Sequence, residues 1–368
     1  MLERRVFRSG GGLRSFVLTV ALAIVILVVP AVASAQVAIK VNDNVNFKIG
    51  VLLQAWADEA QDSTGGYANN LFLRRMRFLV GGQITPNISF FFETDNPNLG
   101  KAPKALGSGF IMQDAFIEWK PVSSAFIIDA GLMLPPLCRN CLESAGGLLS
   151  LDYASFSFVE SAPTQSSVGR DTGFLAKGYL HGGHFEYRAG VFQGFRAAGA
   201  RNAFRTTGRV QYNVWDTETG YVYPGVYFGN KKILAFGVGA DREQKYKGYS
   251  ADAFLSRPLA NKDAVTGELT LLRFDGGTTL AAIAPQNDLT LQAGYYLASP
   301  KVMPFGRYER QSFRNSVDRS RNNHRLQAGL TYYPNGNNFN VKGAISRVEP
   351  RTGRKTNEYT VQMQFFYY

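Results

Sequence analysis

The chain has 368 residues, with 40 Lys and Arg against 28 Asp and Glu and a formal net charge of +12. Aromatics make up 13% and glycines number 38, a composition that favours an all-β chain with many turns over a helical bundle. The basic excess suits either binding of polyanions or guidance of small anions, and does not choose between them.

The N-terminal stretch carries Arg4, Arg5, Arg8 and Arg14, then the apolar core Phe16–Val29, then the small residues Ala33-Ser34-Ala35. That order predicts a secretory signal peptide over residues 1–35, with Gln36 as the first mature residue. Its apolar core is shorter than the roughly 20 residues of a spanning helix. Without residues 1–35 there remain 36 basic and 27 acidic residues, a net charge of +9. No later window is apolar enough for a membrane helix, so any membrane residence must come from strands. No Pro/Ser-rich linker divides residues 36–368, which predicts one continuous domain.

Sixteen short alternating segments follow, centred near residues 51, 77, 91, 115, 130, 176, 190, 208, 237, 251, 269, 293, 306, 328, 343 and 363. The connections after the second, fourth, sixth and fourteenth are Thr85-Pro86-Asn87, Pro121–Ser124, His181–His184 and Pro334–Asn338, all tight-turn chemistry. Asp58–Asn69, Asn96–Gly109, Asp275–Asp288 and Arg314–Asn323 read as longer polar connections. This alternation of short and long links is that of a transmembrane antiparallel β-barrel. Trp215–Lys231 breaks the rhythm and leaves fourteen or eighteen strands open. The last segment, Asn357–Tyr368, predicts a final strand built into the wall, with aromatics on both faces and therefore an ambiguous register.

Within segments, period-two alternation gives one wet and one greasy face. Asp114, Phe116, Glu118 and Lys120 share one side, with Ala115, Ile117 and Trp119 on the other. Arg75 and Arg77 sit together, and Phe72, Met76 and Phe78 are expected opposite. A barrel in lipid turns the greasy face outward, whereas a secreted soluble sandwich turns it inward; the leader and strand count favour lipid.

Arg74-Arg75-Met76-Arg77-Phe78, Ile84-Thr85-Pro86-Asn87, Phe92-Glu93-Thr94-Asp95 and Asp114-Ala115-Phe116-Ile117-Glu118 together resemble the phosphate-selective porin O and P family. Gly131 ahead of Pro136, Phe158-Val159-Glu160, Arg170-Asp171 with Gly173, Gly190-Val191-Phe192-Gln193-Gly194 and Gly208-Arg209 extend the resemblance over nearly all of residues 36–368. It implies a sixteen-stranded outer-membrane porin, a homotrimer, with a long third loop folded into the lumen and basic residues guiding anions. The segment boundaries place that loop at Pro135–Asp171. Two departures stand out. Leu132-Met133-Leu134-Pro135-Pro136 replaces a Lys-containing stretch, and the chain ends Phe365-Phe366-Tyr367-Tyr368 where the family's last strand alternates.

A charge facing lipid at mid-depth costs roughly 2–4 kcal/mol, so mid-segment arginines are expected to face water. Arg75, Arg77, Arg205, Arg209 and Arg307 are the candidate pore-lining residues, with Arg139 and Arg170 on the inserted loop. Glu93, Asp95, Asp114 and Glu118 are expected as transverse acidic partners; the same ladder also reads as purely structural pairing. Arg314, Arg319, Arg321 and Arg325 group in one outer loop, which fits an anion funnel or contact with lipopolysaccharide. Cys138 and Cys141 are expected to form a disulfide, as an exported chain meets oxidising conditions. His181, His184 and His324 lack a nucleophile context, so the reading is not an enzyme, with no cofactor, no metal and no nucleic-acid partner. The expected function is a passive outer-membrane diffusion porin favouring small anions such as phosphate. The alternative is a barrel whose outer loops mainly bind surface ligands or lipopolysaccharide, with little or non-selective conductance.

Overall fold

The computed structural model describes residues 37–368 apart from 105, 108 and 198–202; the predicted signal peptide lies outside the described residues. The chain forms β1 (Val37–Lys40), β2 (Asn46–Gln61), β3 (Tyr67–Thr85), β4 (Ile88–Asp95), β5 (Ile111–Trp119) and β6 (Ile127–Met133). Then come β7 (Asp171–Leu180), β8 (Phe185–Phe192), β9 (Arg205–Asn213), β10 (Ile233–Glu243), β11 (Tyr246–Pro258) and β12 (Ala264–Asp275). The remainder are β13 (Gln286–Tyr296), β14 (Val302–Phe313), β15 (Asn323–Asn335), β16 (Phe339–Pro350) and β17 (Thr356–Tyr367).

From β2 to β17 each strand pairs antiparallel with its sequence neighbours. The ring closes where β17 meets β2, with Thr360 opposite Asp58 and Gln364 opposite Gln54. This is a closed sixteen-stranded antiparallel barrel; β1 is a short hairpin strand added to the start of β2. Closure leaves no free edge, so the wall's backbone N–H and C=O groups can be satisfied between strands, which a hydrocarbon surround demands. All sixteen expected segment centres fall within β2–β17. The break in rhythm is a long connection, residues 214–232, and not a lost pair of strands, which removes the counts of fourteen and eighteen.

The direction of the greasy face is the observation that alternation could not supply. Leu71, Phe78, Ile117, Phe174, Phe236, Val238, Leu271 and Leu291 are exposed, with Leu71 at 80%. Beside Leu271 and Leu291 the residues of opposite parity are polar and buried, namely Thr266, Glu268, Thr270, Thr290 and Gln292, and Gln54 and Gln362 are buried in the same way on β2 and β17. A soluble sandwich would have this pattern reversed. The final strand's register is settled by Gln362 and Gln364, which point inward to meet Trp56 and Gln54.

One residue corrects the expected pattern of β3. Gln54 pairs with Arg75 but Ala55 pairs with Leu73, leaving Arg74 as an extra residue. Such a bulge shifts side-chain parity by one. Phe72 is therefore not on the outer face with Phe78. It is buried inside, 5.9 Å from the ring of Trp56. Arg325 is likewise not a loop residue: it lies on β15 and pairs with Glu358 at 2.6 Å.

Tight links such as 86–87 and 336–338 define one end of the barrel, and the other end carries the connections 96–110 and 134–170. The link 214–232 belongs to the short-turn end. Both long segments reach inward-facing side chains. In residues 134–170, the carbonyl of Leu137 accepts from Ser250 on β11, those of Ala145 and Gly146 accept from Gln54 and Gln364, and that of Leu148 accepts from Lys342. The two segments also join each other. Glu143 and Tyr223 form a parallel bridge, Tyr223 N–H donates to Leu142 O, and Gly225 N–H donates to Gly147 O.

Candidate functional site

All seven arginines singled out in the sequence are 5% exposed or less, and each is ion-paired. Arg77 donates through Nε to Asp95 at 2.9 Å and through Nη1 to Glu93 at 3.1 Å. Arg170 forks onto Asp114 at 2.9 and 3.3 Å and lies 3.7 Å from Glu93. Glu93 and Asp95 thus pair with Arg77 of the neighbouring strand, while Asp114 pairs with Arg170 of the segment 134–170. Glu118 is not an arginine's partner; it pairs with Lys177 at 2.8 Å, beside Asp129.

The remaining arginines meet other acids: loop segments and neighbouring strands bring partners that alternation did not reveal, except for Arg307, whose partner Glu309 shares its face of the strand. Arg209 forks onto Asp252 of β11 at 2.5 and 2.8 Å, and Arg205 onto Asp241 of β10 at 2.5 and 2.9 Å. Arg307 pairs with its strand neighbour Glu309 at 2.5 Å and donates to Ser150 Oγ at 2.6 Å. Arg139 meets Glu218 of the segment 214–232 at 2.5 and 2.7 Å, with both side chains fully buried. Cys138 and Cys141 form a disulfide that encloses Arg139 and Asn140 in its short ring.

The cluster that the sequence reading missed is built by the bulge. Classic bulges turn two successive side chains toward one face, and here Arg74 and Arg75 converge on one acid from the segment 134–170. Arg74 reaches Asp152 at 2.8 Å and Arg75 reaches it at 2.5 Å. Although burial pushes the Asp152 carboxyl up, the two guanidinium groups hold it well below the ordinary carboxylate range. Arg74 was visible in the Arg-Arg-Met-Arg run, but its direction was not, because an inserted residue leaves no mark on composition. Asp152 lies in a stretch without periodicity.

Two cavities flank this cluster. The outer one, about 330 Å³, is bounded by Arg74, Asp152, Tyr153, Arg307, Arg325 and Glu358. The inner one, about 290 Å³, lies toward the short-turn end and is bounded by Arg77, Glu93, Asp114, Tyr153, Arg170 and Tyr221. Tyr153 borders both, with Arg75 lying 5.4 Å over its ring.

No protein-family model matches the chain, and no curated protein matches it in sequence. Solved structures do match. An anion-selective porin from Comamonas acidovorans superposes with a TM-score of 0.63 at 13% identity, covering 88% of this chain and 100% of that one. The fold is that of a porin. OprB of Pseudomonas putida aligns with a TM-score of 0.60 at 9% identity, over 88% of this chain and 94% of its own. The trimer form of OmpT, an outer-membrane protein of Vibrio cholerae, gives 0.52 at 8% identity, over 88% and 100%.

Farther round the barrel, Glu160 sits 3.5 Å from Arg205, near Asp241. Burial pushes its carboxyl up to about 7, Asp241 adds to the rise, and Arg205 opposes it. A carboxyl raised in the folded state favours docking most fully below its unfolded value near 4.5, and loses that contribution as pH rises through about 7. The protection of amides 158–170, taken relative to the intrinsic exchange rate at each pH, is therefore expected to fall between pH 5 and 8, and the Glu160→Gln variant is expected to flatten that dependence.

Proposed function

We propose that this protein is a passive diffusion porin of a bacterial outer membrane, with a preference for small anions set beside Tyr153. The observation that carries the reading is a closed barrel, greasy outside and polar inside, with two cavities meeting at one side chain. A polar lumen wall supplies a water-compatible route, and no step of it needs a cofactor. Residues 134–170 act as the constricting loop of the expected family architecture; their hydrogen bonds to β2, β11, β16 and β17 support that role.

Selectivity follows from a local imbalance and not from a ring of bare arginines. At the neck two guanidinium groups, Arg74 and Arg75, share one carboxylate, Asp152. Their surplus positive charge lowers the barrier for anions and raises it for cations. The anion-selective porin of Comamonas acidovorans has the same fold, which is consistent with this preference. Export through the leader at residues 1–35 and assembly as a homotrimer complete the proposal, the latter supported by the likeness to a trimeric neighbour.

Bilayer recordings test it. The reconstituted protein is expected to give discrete open levels and, in a salt gradient, a reversal potential on the anion side. A silent or cation-selective channel would overturn the reading. Added phosphate is expected to reduce the chloride current if phosphate shares the route. Tyr153 lines both cavities, and the variant Tyr153→Ala is expected to join them and raise single-channel conductance.

A further inference from the structure

The inner cavity has a chemistry that the anion-preferring neck does not explain. Its lining includes the rings of Phe91, Phe116, Tyr153, Tyr221 and Tyr368. Phe116 and Tyr221 lie 4.7 Å apart between ring centres, and Phe91 is 5.5 Å from Tyr368. Aromatic faces carry the negative end of the ring quadrupole, so such a cluster attracts cations and stacks planar apolar groups.

The charges beside those rings lean the same way. Arg77 and Arg170 face three carboxylates, Glu93, Asp95 and Asp114. Lys177 faces two more, Glu118 and Asp129. On the cavity wall itself two cations, Arg77 and Arg170, stand among the carboxylates of Glu93, Asp114, Glu118 and Glu143, and the Tyr221 hydroxyl also donates to Asp114 at 2.6 Å. An incoming anion would compete with acids that already occupy both guanidinium groups. An incoming cation meets surplus negative charge.

The roof of the cavity comes from both inserted segments: Glu143, Ser144 and Ala145 from one, Tyr221 and Val222 from the other. Its volume of about 290 Å³ is at the small end of ligand pockets, which run from roughly 300 to 1,000 Å³. It suits a single-ring solute.

We propose that this cavity binds a small organic cation with a planar apolar body, an arylammonium, its ring among Phe91, Phe116 and Tyr221 and its charge toward Glu93 and Asp114. The site depends on the barrel and its two inserted segments, and does not depend on whether the channel conducts.

Calorimetric titration of the full, folded protein in detergent at neutral pH and low salt tests this without reading any current. Phenyltrimethylammonium is expected to bind saturably, and benzoate, with the same ring and the opposite charge, is expected to bind at least about tenfold more weakly, as a reversed unit charge in a partly dry site implies. Phe116→Leu keeps an apolar side chain but removes the ring, and is expected to weaken the cation about fivefold. Glu93→Gln leaves Arg77 on Asp95 and Arg170 on Asp114, so the barrel is retained, and it is also expected to weaken the cation. Absence of saturable binding, benzoate binding as tightly as the ammonium, or a Phe116→Leu protein with unchanged affinity would each overturn the proposal.

Discussion

Replacing Arg74 and Arg75 together with Ala is expected to lower the anion-to-cation permeability ratio about tenfold. The neck then changes from two guanidinium groups on one carboxylate to a lone Asp152. Even with the screening of water, each unit charge about 4 Å from a permeating ion contributes about 1 kcal/mol. Two such changes exceed the 1.4 kcal/mol that corresponds to a factor of about ten. Removing Arg74 alone is expected to give roughly half of the shift in reversal potential, since Arg75 and Asp152 then balance. The measurement is the zero-current potential in a salt gradient, with unaltered heat-modifiable gel migration as the control for folding. A double variant with the parental potential would remove the bulge cluster from the selectivity argument and return Arg74 and Arg75 to a structural role.

Glu218→Ala is expected to loosen the two inserted segments and produce a larger, noisier channel. Glu218 is the fully buried partner of Arg139, which also donates to Pro224 O and lies 3.5 Å over the ring of Phe254. Truncating one member of such a pair strands a charge away from water and costs about 3–5 kcal/mol. That is enough to compete with the few backbone hydrogen bonds that join 142–147 to 223–225. Conductance and open-channel noise are expected to rise, and tryptic cleavage at Lys231, half-buried in the parent, is expected to quicken. Removing both partners, Arg139→Ala with Glu218→Ala, is expected to cost less than removing Glu218 alone, because no unpaired charge remains. If Glu218→Ala keeps parental conductance and protease resistance, the clasp between the segments is not what fixes the constriction.

The sixteen strands, their order and most of their connections were legible because a strand in a barrel wall repeats every two residues, and both its environments leave a compositional trace. Ile117 and Trp119 against Asp114 and Glu118 show it plainly. Pairing of Arg77 with Glu93 and Asp95 was legible for a related reason: those residues face the same side of adjacent strands. Arg209 with Asp252 was not, since Asp252 lies two strands away, across β10. The direction of Phe72 and the convergence of Arg74 with Arg75 were lost at a single inserted residue, which reverses parity without altering hydrophobicity.

By itself, then, the amino-acid order determined the wall as a run of about sixteen strands with a surface alternately wet and greasy, while fourteen and eighteen strands were excluded only by the closure of the ring. Only the tertiary structure decided which of those surfaces faces outward, because period two is symmetric between the two faces until the ring closes. It also decided the interior. Segments 134–170 and 214–232 have no period to read; their positions come from ion pairs such as Arg139 with Glu218 and Arg75 with Asp152, made between residues far apart in the chain. Charge at a point in space depends on which distant side chains meet there, and that is a property of the closed barrel alone.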